Sequence, residues 1–198
     1  MSDPTTRAHS EVAFPGSTGE RELQQRFGTT QRAERFYNCQ VIDRLNDEMH
    51  RFLSRMEIMF VSTSDSQGEC DSSIRCGLPG FVVALDDKTV VYPELRGNGV
   101  MASLGLHLNG SAKILENDEL LEDPRVTGEI RLKCERTGGR KPERWVRVTI
   151  EEAYIHCSKH IPLMKRMPKE IAWGTDDERL KGGDFFGVSR RNNSLKSE

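Results

Sequence analysis

Two glycine-rich turns hold the residue types best suited to gripping a ligand. The first runs Asp71-Ser72-Ser73-Ile74-Arg75-Cys76-Gly77-Leu78-Pro79-Gly80-Phe81. Backbone N–H groups in such a loop form an anion-binding concavity, Arg75 offers a planar fork of donors, and Ser72 and Ser73 stand beside it. The second, Tyr92-Pro93-Glu94-Leu95-Arg96-Gly97-Asn98-Gly99, places Arg96 next to a predicted helix start at Asn98. That arrangement again suits an anion or a ligand carbonyl. Read alone, a segment of either kind is more often an ordinary turn than a site. A third polar patch, Tyr154 to Pro162, brings His156, Lys159 and His160 to the end of a predicted strand. Two imidazoles at a strand end do not align as a helical pair would, so no zinc site is expected.

Other chemistries lose their footing for lack of motif. There is no G-x-G-x-x-G, no G-x-x-x-x-G-K-[ST], no H-E-x-x-H and no G-x-S-x-G. The five cysteines, Cys39, Cys70, Cys76, Cys134 and Cys157, are odd in number and include no C-x-x-C pair. They read as buried free thiols of a reducing compartment.

The elements that must position these residues follow from periodicity. Residues 1–19 carry Pro4, Pro15, Gly16 and Gly19 and read as a flexible lead-in. Residues 20–55 read as helices: a short one ending at Gly28, then a longer one capped by Thr29 or Thr30. Ala33, Phe36, Tyr37, Val41, Leu45, Met49 and Phe52 form its apolar stripe. Residues 57–76 predict a hairpin about Asp65-Ser66-Gln67-Gly68, and FVVAL with TVVYP predict a second about Asp86-Asp87-Lys88. The continuous apolar runs of that second hairpin point to burial on both faces. A short helix over 98–105, a strand over 105–116 with a bulge at Gly110, and a helical turn at DELLED come next. Residues 124–142 read as a surface excursion and 143–157 as a long alternating strand. The result is a mainly β, α+β chain of about six antiparallel strands, for which closure into a small barrel removes exposed edges. Residues 56–162 hold this domain; 163–198 form a C-terminal tail whose Trp173, Phe185 and Phe186 predict partial docking.

Composition narrows the partners. The 29 basic residues nearly balance 31 acidic ones, for a net charge of −2, which leaves no footprint for nucleic acid. Apolar runs fall short of the ~20 residues that span a bilayer. The opening residues lack a basic start and apolar stretch, so a cytoplasmic protein is expected.

Five segments in order then carry a resemblance. E-C-D-S-x-x-R-x-G-x-P-G-F stands at Glu69 to Phe81, Y-P-E-x-R-G-N-G at Tyr92 to Gly99, and G-L-H-x-N-G-x-A at Gly105 to Ala112. E-E-A-Y-I-H-C-x-K-H-I-P stands at Glu151 to Pro162 and W-G-T-D-D at Trp173 to Asp177. Over roughly residues 20–187 the chain is similar to the pyridoxamine 5'-phosphate oxidase-like, FMN-binding split-barrel family. The resemblance implies a six-stranded antiparallel split barrel that works as a homodimer, with flavins at the subunit interface. It implies an FMN-dependent oxidoreductase acting on a small molecule. FMN is the implied cofactor, with deazaflavin or haem as the alternative. Ser72, Ser73 and Arg75 are then expected at the FMN phosphate. Gly77, Pro79, Gly80 and Phe81, with Arg96 and Asn98, are expected beside the ring or ribityl chain, and His156 and Lys159 at the same cleft. A non-catalytic binding module, or a paralogue that has lost its cofactor, is the contrasting expectation. Relatives carry a further segment with an apolar strand where Ser103-Leu104 here runs straight into Gly105-Leu106-His107, which implies one barrel strand fewer. The chain ends Asn-Ser-Leu-Lys-Ser-Glu rather than Arg-Leu-x-Pro, so vitamin B6 oxidation is not expected.

Overall fold

The computed structural model describes residues 16–95, 100–107, 112–136, 142, 144–155, 162, 164–165, 167–168, 170–172, 175 and 177–181. They fall into two compact units, one of residues 1–42 with 154–157, the other of 43–153 with 158–198.

The first unit is helical. Ser17 opens α1 (Thr18–Arg26) with a reciprocal cap, its hydroxyl accepting from Glu20 N while the Glu20 carboxylate accepts from Ser17 N. Gly28, at φ +65°, turns the chain into α2 (Thr30–Gln40). Gln24 donates to the Tyr37 hydroxyl at 2.9 Å, and Phe36 meets Tyr154 edge-on at 5.6 Å between ring centroids.

The expected long second helix is two shorter ones. α3 (Asp47–Leu53) starts afresh, capped by Asn46, whose Oδ1 accepts from Met49 N at 3.0 Å. The break has a tertiary cause. Leu45 is buried, and its N–H donates to Asp87 O at 2.7 Å in place of a helical carbonyl.

The second unit is built on strands. β1 (Ile58–Ser64) and β2 (Cys70–Cys76) form the first hairpin, in register from Ile58↔Cys76 to Ser64↔Cys70. β3 (Val83–Asp86) and β4 (Thr89–Glu94) form the second. Then come α4 (Ala102–His107), β5 (Ala112–Glu116), α5 (Asn117–Glu122), α6 (Gly128–Arg136), β6 (Arg144–Thr149) and α7 (Glu178–Lys181). The last strand inserts between earlier ones, giving a four-stranded antiparallel sheet in the order β3-β4-β6-β5.

That sheet is buried on both faces, as its apolar runs predict. Val83, Leu85, Val91, Leu115 and Trp145 point one way, into a core with Leu120, Val126 and Cys134. Tyr92 and Val146, with the partly buried Val90, Ile114 and Val148, point the other way. They meet Phe81, Val82 and Leu104, and Met59 and Val61 of β1. Alternation along each strand assigns successive residues to opposite cores.

Five further sequence expectations are corrected. The six strands do not close: among the described residues β1–β2 form a separate two-stranded sheet, and β3 and β5 are open edges. The expected short helix is α4, but it runs on to His107, so residues 105–107 are helix rather than the start of a strand. Buried Ser103 and Leu104 draw it against β1, β2 and β5, and Gly105 N closes a turn on Met101 O at 2.7 Å. β6 ends at Thr149, well before residue 157, because Thr149 pairs with Thr89, the first residue of β4. Residues 128–136 form α6 in what reads as a surface excursion; Ile130 and Cys134, one turn apart, pack on the first core. The thiols are not uniformly buried either: Cys39 and Cys70 are exposed and only Cys134, among those described, is buried. Gly110 and the docking residues Trp173, Phe185 and Phe186 lie outside the described residues.

One polar knot ties the turn after α5 to the second hairpin. Arg125 holds Asp123 by two N–H donors at 2.9 and 2.7 Å, and its Nη1 also donates to Asp86 and to Thr89 Oγ1 at 2.6 and 3.0 Å. The Arg125 guanidinium holds the Asp123 carboxyl down at about 2, against roughly 3.9 in an unfolded chain. Its stabilisation is therefore full above pH ~4 and is lost as pH falls through about 2. Arg125→Met is expected to cost about 1–2 kcal/mol at pH 7, allowing for partial exposure. Urea denaturation should show the gap from the parent chain narrowing as the pH falls below ~4; a constant gap removes this pair from the stability of the fold.

Candidate functional site

The inward face of the β1–β2 hairpin carries the polar cluster. Period-two alternation sets Asp71, Ser73 and Arg75 on one face of β2 and Ser72 and Ile74 on the other. Ser72 instead meets Ser62, at 3.1 Å on the exposed face. The adjacent serines of the motif therefore do not act together.

Arg75 begins a directed chain of hydrogen bonds. Its Nη1 donates to Ser73 Oγ at 2.8 Å and to Ile74 O at 3.3 Å, and its Nε donates to Glu94 Oε2 at 3.0 Å. Ser73 Oγ lies 2.8 Å from Ser103 Oγ in α4, and Ser103 donates to Asp71 Oδ2. Each hydroxyl has one proton to give, so accepting from Arg75 directs Ser73 toward Ser103, and Ser103 toward the carboxylate. Polarised end to end, the chain clips β2 to α4 and to the end of β4. Opposite Asp71 across the hairpin, Thr63 Oγ1 is buried with no hydrogen-bond partner among the described residues. Beneath the cluster, burial pushes the Tyr92 phenol up to about 12, with Arg75 acting against the rise and Glu94 adding to it. It stays neutral across the physiological range.

The residues match a phosphate in type more than in charge. Ser73 and Arg75 are suitable donors, and Nη2 of Arg75 takes part in none of the bonds above. The described cluster, however, sets one guanidinium against the carboxylates of Asp71 and Glu94. Like charges about 5 Å apart repel by roughly 3 kcal/mol at an effective dielectric of about 20. A phosphate arriving here meets that repulsion.

The glycine loop plays a different part from the one its composition suggests. Gly77 N donates to Glu57 O and Gly80 N to Met56 O, both at 2.9 Å, and Phe81 N donates to Leu78 O at 3.0 Å. The first two fasten the loop to the segment after α3 and the third closes a turn within it, so these amides do not form an anion cradle. A Cβ at Gly77 would lie 2.3 Å from Phe81, and Gly80, at φ +78°, lies where a Cβ would stand 2.8 Å from Ser54 O. Both glycines are required by close approach. Pro79 is exposed and Phe81 is buried in the second core. With Leu78 and Gly80 they line a cleft of about 290 Å³ against Glu129, Leu132 and Lys133 of α6. Arg96, Asn98, His156 and Lys159 lie outside the described residues. Among the described residues no group of three or more His, Cys, Asp or Glu could hold a metal ion, and no helix is long and apolar enough to cross a membrane.

Sequence reasoning missed Asp71, Glu94 and Ser103. Asp71 was recoverable from the face it shares with Ser73 and Arg75. Glu94 and Ser103 come from 19 and 30 residues beyond their partners, and no local signal announces them.

No family model and no curated protein matches the chain. Among solved structures, a crystal structure of a HupZ variant from Group A Streptococcus is similar over 54% of this chain and 94% of that one. The identity is 16% and the TM-score 0.35, a likeness that assigns neither activity nor ligand.

Gly80→Ala is expected to cost about 1–3 kcal/mol through its left-handed backbone and the contact with Ser54 O. Adding phosphate should not change that cost. An unchanged urea midpoint would show that the turn re-forms without the glycine.

Proposed function

We propose that the chain is a flavin-binding protein of the split-barrel type, an FMN-dependent oxidoreductase-like protein whose Ser73 and Arg75 receive the FMN phosphate. The observation that carries this reading is their convergence, with Arg75 Nη1 2.8 Å from Ser73 Oγ on the inward face of β2. The five motifs in family order support it. Bound FMN would supply hydride or single-electron transfer; the chain would hold its phosphate and shield its ring. Ser72, on the outer face, has no part in this grip, nor do the committed amides of Gly77, Gly80 and Phe81. Arg96, Asn98, His156 and Lys159 enter on the motifs alone.

The pairing of Arg75 with Glu94 at 3.0 Å favours a second reading, a paralogue that has lost its ligand. Titration with FMN, followed by quenching of flavin fluorescence, separates the two. The expected outcome is saturable binding of one FMN per chain, weakened about tenfold by Arg75→Lys, which keeps the charge but loses the fork. A folded chain that does not saturate with FMN overturns the first reading in favour of the second. Mass spectrometry of any cofactor that copurifies tells FMN from deazaflavin, and a Soret band reports haem.

The partner in this proposal is a second copy of the chain. The outer face of the β1–β2 hairpin exposes Ile58 at 51%, Phe60 at 76% and Ile74 at 53%, with Phe60 directly opposite Ile74 in the register. That face carries apolar, serine and cysteine side chains and no charge, which suits an isologous contact with its own copy. Light scattering is expected to give a dimer for the parent chain and a monomer for Phe60→Glu. A Phe60→Glu dimer moves the interface elsewhere, and a monomeric parent chain removes the partner.

A further inference from the structure

Arg75 is the single cation of the described cluster, and its guanidinium has two edges that can take an oxyanion by paired N–H donors. The end-on edge, Nη1 with Nη2, is half spent, because Nη1 donates to Ser73 Oγ at 2.8 Å and to Ile74 O at 3.3 Å. The side-on edge, Nε with Nη2, is closed by Glu94 Oε2, 3.0 Å from Nε. Asp71 does not compete for it. Its carboxylate accepts from Ser103, at the far end of the hydrogen-bond chain that starts at Nη1.

Glu94 is placed to leave. Among the described residues its carboxylate is held by Arg75 alone, while its backbone is fixed separately in the ladder opposite Arg144. Both side chains are 20% exposed, so the pair is sheltered yet open to a solute. We propose that Glu94 is an internal competitor for the oxyanion site of Arg75. Its carboxylate holds the guanidinium edge that a phosphate-bearing ligand needs, so the strength of this pair sets the affinity for such ligands. This autoinhibitory contact rests on the reading of Ser73 and Arg75 as phosphate donors. It adds that the parent chain binds phosphate far below the capacity of its donors.

The test compares the full-length parent with Glu94→Ala and Glu94→Gln, using inorganic phosphate and FMN as separate probes. Phosphate is expected to raise the melting temperature of Glu94→Ala well above its effect on the parent, and FMN to bind Glu94→Ala at least about tenfold tighter. Glu94→Gln, which keeps a neutral acceptor, is expected to fall between them. The gain should vanish when Arg75→Met is combined with Glu94→Ala. Should Glu94→Ala fail to fold by circular dichroism, Glu94→Gln carries the comparison. A folded variant with unchanged or weaker binding of both probes overturns the proposal, as does a gain that survives Arg75→Met. The two readings fail separately. FMN binding by the parent with no gain on removing Glu94 sinks the competitor alone. A gain for phosphate with no FMN binding by any variant sinks the flavin function alone.

Discussion

A single four-stranded sheet must cover both of its faces, and most of the second unit is placed by that demand. Successive residues of β3, β4, β5 and β6 alternate between two cores, so neither face can be left to solvent. α5 and α6 contribute Leu120 and Cys134 on one side, and the first hairpin and α4 contribute Val61 and Leu104 on the other. With Trp145, Val91 and Val146 all fully buried, the sheet is the rigid element against which the polar cluster is arranged.

Because the first hairpin shares no backbone ladder with that sheet among the described residues, side chains do the joining. The run from Arg75 through Ser73 and Ser103 to Asp71 links β2 to α4, and the Glu94 pair links β2 to β4. Donors that a ligand would use are thus also structural fasteners. This double employment is the physical tension at the centre of the candidate site. On the proposed reading, a phosphate that takes the Nε–Nη2 edge of Arg75 displaces a contact the folded chain already makes.

Open edges follow from the same strand count. β3 and β5 are the outer strands of the sheet among the described residues, and α4 packs against β1, β2 and β5. A short helix can bury Ser103 and Leu104 against both β1–β2 and β5, yet it cannot continue their ladders. Packing without a backbone ladder joins them there, and among the described residues the strands do not close into a barrel.

Much of this was legible in the chain itself. Hairpin turns declare themselves through Asp65 and Gly68, and through Asp86, whose carboxylate accepts from Lys88 N at 2.8 Å. Runs such as FVVAL and TVVYP foretell burial on both faces, since alternation is a property of the strand alone. The opposed faces of Ser72 and Ser73 were implicit in that period as well. Tertiary contact decided the rest. The helical pattern is broken ahead of α3 where Asp87 O, far along the chain, takes the Leu45 N–H, and β6 stops at Thr149 because its neighbour has run out. The carboxylate that meets Arg75 belongs to Glu94, brought beside it from the end of another strand. Local sequence fixes dihedral preference and side-chain period, whereas the partner of a buried charge depends on which distant segment the cores bring alongside it.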